Sequence, residues 1–143
     1  MCGKLWGKIM TLVLALLIIM PACAMTGCSD RKEPDNKTSV DYTVVENADL
    51  PEELKKLIES KKDKVMRLTY TTKDYTYVVA GYGTRETSGY SIKVNDVYTG
   101  DNALYIDLNL IGPAAGEAVN EVETYPVIVL KMERREESVV FKM

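Results

Sequence analysis

The glycine-rich run Gly81-Tyr82-Gly83-Thr84-Arg85-Glu86-Thr87-Ser88-Gly89 is the stretch whose residue types come nearest to a chemical motif, and phosphate binding is the chemistry to test first. A phosphate cradle needs a helix N-terminus behind its glycines and usually a lysine. Here a strand pattern follows and Glu86 would face the anion, which argues against a nucleotide. The same residues suit a plain loop, in which glycines supply positive φ and let strands approach closely. They also suit a recognition loop, because Tyr82, Arg85, Thr87, Ser88 and Tyr90 offer the aromatic and bidentate contacts that dominate interfaces. Further along, Glu117, Glu121 and Glu123 lack the alternating Asp/Asn spacing and glycine turn of a calcium loop. Asp96, Asp101 and Asp107 show no pairing of the kind a glycosidase needs, and Asp107 falls on the polar face of a strand. Histidine is absent and the cysteines stand at positions 2, 23 and 28 only. That removes Ser-His-Asp and Cys-His nucleophiles, His-ligated zinc and dithiol redox motifs. The chain reads as non-catalytic, with no metal and no cofactor.

The elements that must position these loops follow from periodicity. Asp49-Leu50-Pro51-Glu52-Glu53 opens a helix: proline costs nothing in the first turn, and two carboxylates face the positive end of the dipole. Leu50, Leu54, Leu57 and Ile58 recur at helical spacing, which predicts a helix over residues 51–62. The period then drops to two. Tyr90, Ile92 and Val94 alternate with polar neighbours, as do Leu104, Ile106, Leu108 and Leu110, which predicts two half-buried strands joined by a hairpin connection over 98–102. Residues 74–80 and 125–132 are more continuously apolar, as strands covered on both faces are, with Pro126 at a strand start or on an edge. Residues 65–71 pair with 74–80 across a tight Thr72-Lys73 turn, and 40–45 and 138–141 read as edge strands. The expected fold is α+β: one helix near the N-terminus, then five or six mostly antiparallel strands in a curved sheet or small open barrel.

The 14-residue stretch 111–124, with Gly112, Pro113 and Gly116, is longer than an ordinary connection and so a second candidate functional loop. Nine tyrosines against one phenylalanine, with the single tryptophan at position 6, make a skewed aromatic set. Tyrosine suits half-exposed pleated surfaces, and it also binds partners at low entropic cost.

At the N-terminus, Lys4 and Lys8 precede the apolar run 9–20, then Pro21 and small residues, which is the order of a secretory signal. The run has 12 residues, whereas a spanning helix needs about 20. Met25-Thr26-Gly27-Cys28 resembles the lipobox of bacterial lipoproteins, with Met25 where leucine is usual, and the resemblance implies lipidation of Cys28 after removal of residues 1–27. Acyl chains contribute about 0.8 kcal/mol per buried methylene, so two or more on one residue would hold the protein at the membrane, outside the cytoplasm. Residues 29–39 contain no large apolar side chain and read as a solvated tether of at most about 35 Å. The organisation is thus a signal over 1–27, a lipidated cysteine and tether over 28–39, and one domain over 40–143. Removing Lys4 and Lys8 with the signal leaves 16 basic against 21 acidic groups, a net charge of −5, which offers nothing to nucleic acid.

The run from Tyr77 to Met132 resembles the C-terminal domain of the protease complex subunit PrcB family. The resemblance rests on V-V-A-G (78–81), E-T-S-G-Y-S-I (86–92), N-A-L-Y-I-D-L (102–108), G-P-A-A-G-E (112–117) and T-Y-P-V-I-V-L-K (124–131), with Ser88 where the family pairs two glycines. It implies a protein-binding module, anchored like the lipoprotein that gives the family its name and accessory to a surface or secreted subtilisin-type protease. Docking through loops and strand edges would then use Tyr82, Arg85, Thr87, Gly89 and Tyr90, with Pro113 and Tyr125. Thr87-Ser88-Gly89-Tyr90 is also similar to a loop of chagasin-like protease inhibitors, but the Arg-Pro-Trp triplet of those proteins has no counterpart here. An envelope glycan or small ligand, held in an open barrel mouth, is the alternative occupant.

Overall fold

The computed structural model describes residues 36–143; the expected signal, Cys28 and most of the expected tether lie outside them. The chain forms β1 (Thr38–Ser39), β2 (Thr43–Val44), a 3-10 turn (Asn47–Asp49) and helix α1 (Glu52–Glu59). There follow β3 (Val65–Thr71), β4 (Tyr75–Tyr82), β5 (Ser91–Gly100), β6 (Ala103–Ile111), β7 (Val127–Glu133) and β8 (Ser138–Lys142). One sheet has the order β1-β5-β6-β8 and the other β2-β7-β4-β3. All pairings are antiparallel except β6 with β8.

Three layers result, and β4 shows why. Its consecutive apolar residues point alternately to two faces. Val78 and Ala80, with Ile128, Leu130 and Met132 of β7, meet Val97, Leu104, Ile106 and Leu108 of the other sheet. Tyr77 and Val79, with Val129 of β7 and Met66 of β3, meet Leu50, Leu54 and Ile58 of the helical segment. Reading β4 and β7 as covered on both faces therefore holds. The curved single sheet or open barrel does not: eight strands form two stacked sheets, with no closed barrel among the described residues. The interior that a barrel would leave open is filled by the side chains of both sheets.

The helix is shorter than expected. Pro51 occupies the N-cap position, and its carbonyl accepts the Lys55 N–H at 3.0 Å. Ser60 closes the other end by donating its hydroxyl to the Leu57 carbonyl at 2.8 Å. The β5–β6 connection is also tighter than expected, since only Asp101 and Asn102 stand between the strands. Both have positive φ, 49° and 64°, as a two-residue type I′ hairpin requires.

The alternation in β5 fails at one residue. Its register with β6 shifts between Val94 and Asp96, so Asn95 is a bulge. Ile92 and Val94 face the inter-sheet core before it and Val97 faces it afterwards. Tyr98 is thereby turned to the outer face, yet it is only 1% exposed. Its ring stacks on Tyr105 at 5.0 Å between centroids, and its hydroxyl accepts a 2.6 Å hydrogen bond from Lys142 Nζ.

At the N-terminal side, Thr38 and Ser39 pair with Thr99 and Tyr98, so the sheet takes in the last residues of the expected tether. Residues 40–45 do not form one edge strand. Val40 donates to Val97 O in one sheet at 3.0 Å, and two residues of β2 then pair in the other. Pro126 sits just before β7, where its missing N–H costs no ladder bond. The crossing from β7 to β8 is tied down by buried Thr76, whose Oγ1 accepts the Arg135 N–H at 2.9 Å.

Candidate functional site

The two loops singled out in the sequence are stitched to each other. Gly83 turns at φ 74° directly against the backbone of Asp63 and Lys64, and Thr84 then donates its N–H and its hydroxyl to the Asp63 carbonyl, both at 3.3 Å. Arg85 and Thr124 exchange backbone hydrogen bonds of 2.8 and 2.9 Å. Thr124 Oγ1 donates to the Thr87 carbonyl at 2.8 Å. Ser88 N–H reaches Asn120 O at 3.0 Å, and Ser88 Oγ accepts from Asn120 N at 2.9 Å. Gly89, at φ 91°, lies so close to Pro113 that an added Cβ would sit 3.0 Å from the proline Cβ. Gly112 is pressed on the Tyr90 ring in the same way. Six of the expected contact residues, Tyr82, Arg85, Thr87, Gly89, Tyr90 and Pro113, are thus brought into one region.

Several of them are engaged within the chain itself. Arg85 does not present a free fork: Nη2 donates to the Tyr82 carbonyl at 3.1 Å and the guanidinium lies 5.7 Å from the Tyr90 ring centre. Its Nε is shut off from solvent without a protein acceptor. Arg85 and Tyr90 therefore brace the loop. The Tyr82 hydroxyl is likewise buried without a partner, and that burial pushes its pKa above the usual value of 10.0, Asp107 adding to the effect and Arg67 opposing it. A phenol whose folded pKa exceeds its unfolded one contributes stability that is complete below about pH 10 and lost as pH rises through the folded value. Tyr82→Phe should flatten the alkaline loss of stability, read as urea midpoints between about pH 8 and 11.5. Superimposable wild-type and variant profiles would show that the hydroxyl is hydrated.

What the loop pair exposes is acidic: Glu86, Glu117, Glu121 and Glu123, with Val122 51% exposed among them. Tyr125 belongs elsewhere. Its hydroxyl donates to Glu123 at 3.0 Å, a bond that raises its pKa, and Lys62 Nζ lies 5.0 Å from its ring. It lines a cavity of about 410 Å³ between α1 and β7, whereas Tyr90 lines a smaller one of about 260 Å³; Val44, Val127 and Ile128 border both.

A third feature has no signal in the sequence, a groove of about 580 Å³ around Tyr42, Tyr75, Lys131 and Glu133. Tyr42 and Tyr75 are distant in sequence from Lys131 and Glu133, and the β4–β7 register, Tyr75 opposite Glu133 and Tyr77 opposite Lys131, sets Tyr75 beside that pair. Lys131 Nζ stands 3.9 Å above the Tyr75 ring and 5.9 Å from that of Tyr77. Among the described residues no group of three Asp, Glu or Cys side chains converges as metal ligands would, and no helix is long and apolar enough to cross a membrane.

The structure is thus a helix-backed pair of stacked sheets carrying two interlocked loops. Residues 76–133 of it match the family model described as PrcB C-terminal. The matched segment runs from the second residue of β4 to the end of β7, so it takes in both loops and the β5–β6 hairpin between them. The family resemblance read from residues 77–132 is thereby shown. Searches of curated proteins and of solved structures return no match to the chain.

Proposed function

We propose that the protein is a membrane-anchored, extracytoplasmic, non-catalytic binding module that serves as an accessory subunit of a surface or secreted protease. The observation that carries this reading is the extent of the family match, which encloses the whole interlocked loop pair. A loop pair locked by seven mutual and flanking hydrogen bonds presents its outer residues in one conformation, which lowers the ordering cost of docking a partner. Anchoring through Cys28 places the module where a surface protease works. The barrel-mouth seat for a glycan finds no support, since the space between the sheets is packed.

The test is capture by the tagged full-length protein from detergent-solubilised envelope of the organism that makes it, with mass spectrometry of what is retained. Enrichment of a protease over a tag-only control is expected, and its retention should fall when Val122→Asp is placed in the loop surface. Repeated capture with no protease enriched overturns the accessory reading. In the same preparation Cys28→Ala should move the protein from membrane to soluble fractions; an unchanged distribution removes the lipid anchor.

A further inference from the structure

The third groove exists because β2 begins only at Thr43. Thr43 and Val44 pair with Lys131 and Leu130, while Val40 is already bonded to Val97 in the other sheet. Asp41 and Tyr42 therefore cross from sheet to sheet, and among the described residues no strand pairs Met132 or Glu133 on that side. The helical segment covers this face of the sheet at Tyr77, Val79 and Val129 but not at Tyr75. Two tyrosines remain open in the gap, Tyr42 at 39% and Tyr75 at 41% exposure.

Charge selects the occupant. Three carboxylates line the groove, those of Asp41, Asp49 and Glu133, against the one ammonium of Lys131. None of the four belongs to an ion pair among the described residues. The ammonium instead rests on the face of Tyr75. The groove is thus a surface with net charge −2 whose aromatic floor already holds one cation. An uncharged sugar would stack on the tyrosines but gain little from unpaired carboxylates, whereas a guanidinium or ammonium gains from both.

We propose that this groove seats an extended, basic segment of the partner protein, with Lys or Arg side chains laid on Tyr42 and Tyr75 in front of Asp41, Asp49 and Glu133. The inference rests on the reading of the protein as a binding module. Lys131 then acts as a resident competitor for the aromatic floor, and its removal strengthens the site.

The experiment measures binding to the full-length protein in detergent, at about 0.15 M salt, of a labelled synthetic heptapeptide, Ser-Arg-Thr-Lys-Ser-Arg-Thr, and of its counterpart with Gln for every Arg and Lys. The combined variant Asp41→Asn, Asp49→Asn, Glu133→Gln should weaken the basic peptide roughly tenfold. Removing the same charge from the loops with Glu86→Gln, Glu117→Gln, Glu121→Gln should change it less than about twofold, because exposed charges at a distance are screened. Lys131→Gln should tighten it about threefold, the effect of freeing an exposed aromatic face for another cation. Thermal unfolding of each variant confirms that these surface changes leave the fold intact. Equal losses in the two triple variants, equal affinity for the neutral peptide, or displacement of the basic peptide by a soluble chitooligosaccharide overturns the proposal. The captured partner separates the two levels: its retention by the groove triple variant overturns the groove and leaves the module standing, whereas no capture by wild type overturns both.

Discussion

Leu130→Ala is expected to cost about 3 kcal/mol of stability and to lower the unfolding midpoint by about 12 °C. Leu130 is 0% exposed and sits in β7, the second strand of its sheet, with β4 on one side and β2 on the other. It stands opposite Val78 of β4 and Val44 of β2, and its side chain belongs to the core between the sheets with Leu104 and Ile106. Truncation removes apolar burial and leaves a cavity that neighbours in two extended sheets close only partly, which is why such changes fall in the range of about 2 to 5 kcal/mol. Urea denaturation of the wild-type and variant proteins measures the difference. A loss under about 1 kcal/mol would mean that the two sheets do not share this core. Since Val44 borders all three cavities and is held opposite Leu130, the variant should also weaken any ligand seated along β2.

Which parts of this arrangement could be read beforehand follows from the range of the forces involved. Helix periodicity is local, so Leu50, Leu54 and Ile58 announced both α1 and its buried face. The continuous apolar run of β4 announced two covered faces, and the structure supplies a different cover for each, helix for Tyr77 and Val79, sheet for Val78 and Ala80. Alternation does not say which strands share a sheet, and the division into two sheets depends on non-local partners such as Ser138–Lys142 lying parallel to β6. Asn95 breaks the parity of β5 without any glycine to mark it, so the burial of Tyr98 on an outer face was not legible. At the candidate site the residue types of the two loops were legible and the contacts they make within the chain were not. Arg85 looks like a hot-spot side chain in sequence, but its own loop folds back so that the Tyr82 carbonyl and the Tyr90 ring engage its fork. The groove was invisible because it is made where residues 41–42 cross between the sheets before β2 begins, a consequence of the chain having two sheets to serve in six residues.

Gly83→Ala is expected to cost about 2 kcal/mol and to reduce partner capture along with it. One part is torsional: at φ 74° an L side chain is strained by about 1 kcal/mol. The other part is space, since an added Cβ would lie 3.2 Å from Asp63 O and 3.3 Å from both Lys64 C and Val65 N. Those are backbone atoms at the start of β3 and cannot rotate away as a side-chain tip would. Gly116 separates the two contributions, having a similar φ of 84° with nothing within 4 Å of its would-be Cβ. Gly116→Ala should therefore cost only about 1 kcal/mol, on the same torsional argument. Urea midpoints of the two variants, measured side by side, give the difference that belongs to the seating of loop 83–90 on residues 63–65. Equal losses would mean that the loop is not held there. A larger loss at Gly83, accompanied by weaker capture while Gly116→Ala captures normally, would tie partner binding to the loop's fixed position, because Gly83 precedes every exposed residue of that loop and can act on a partner only by moving them.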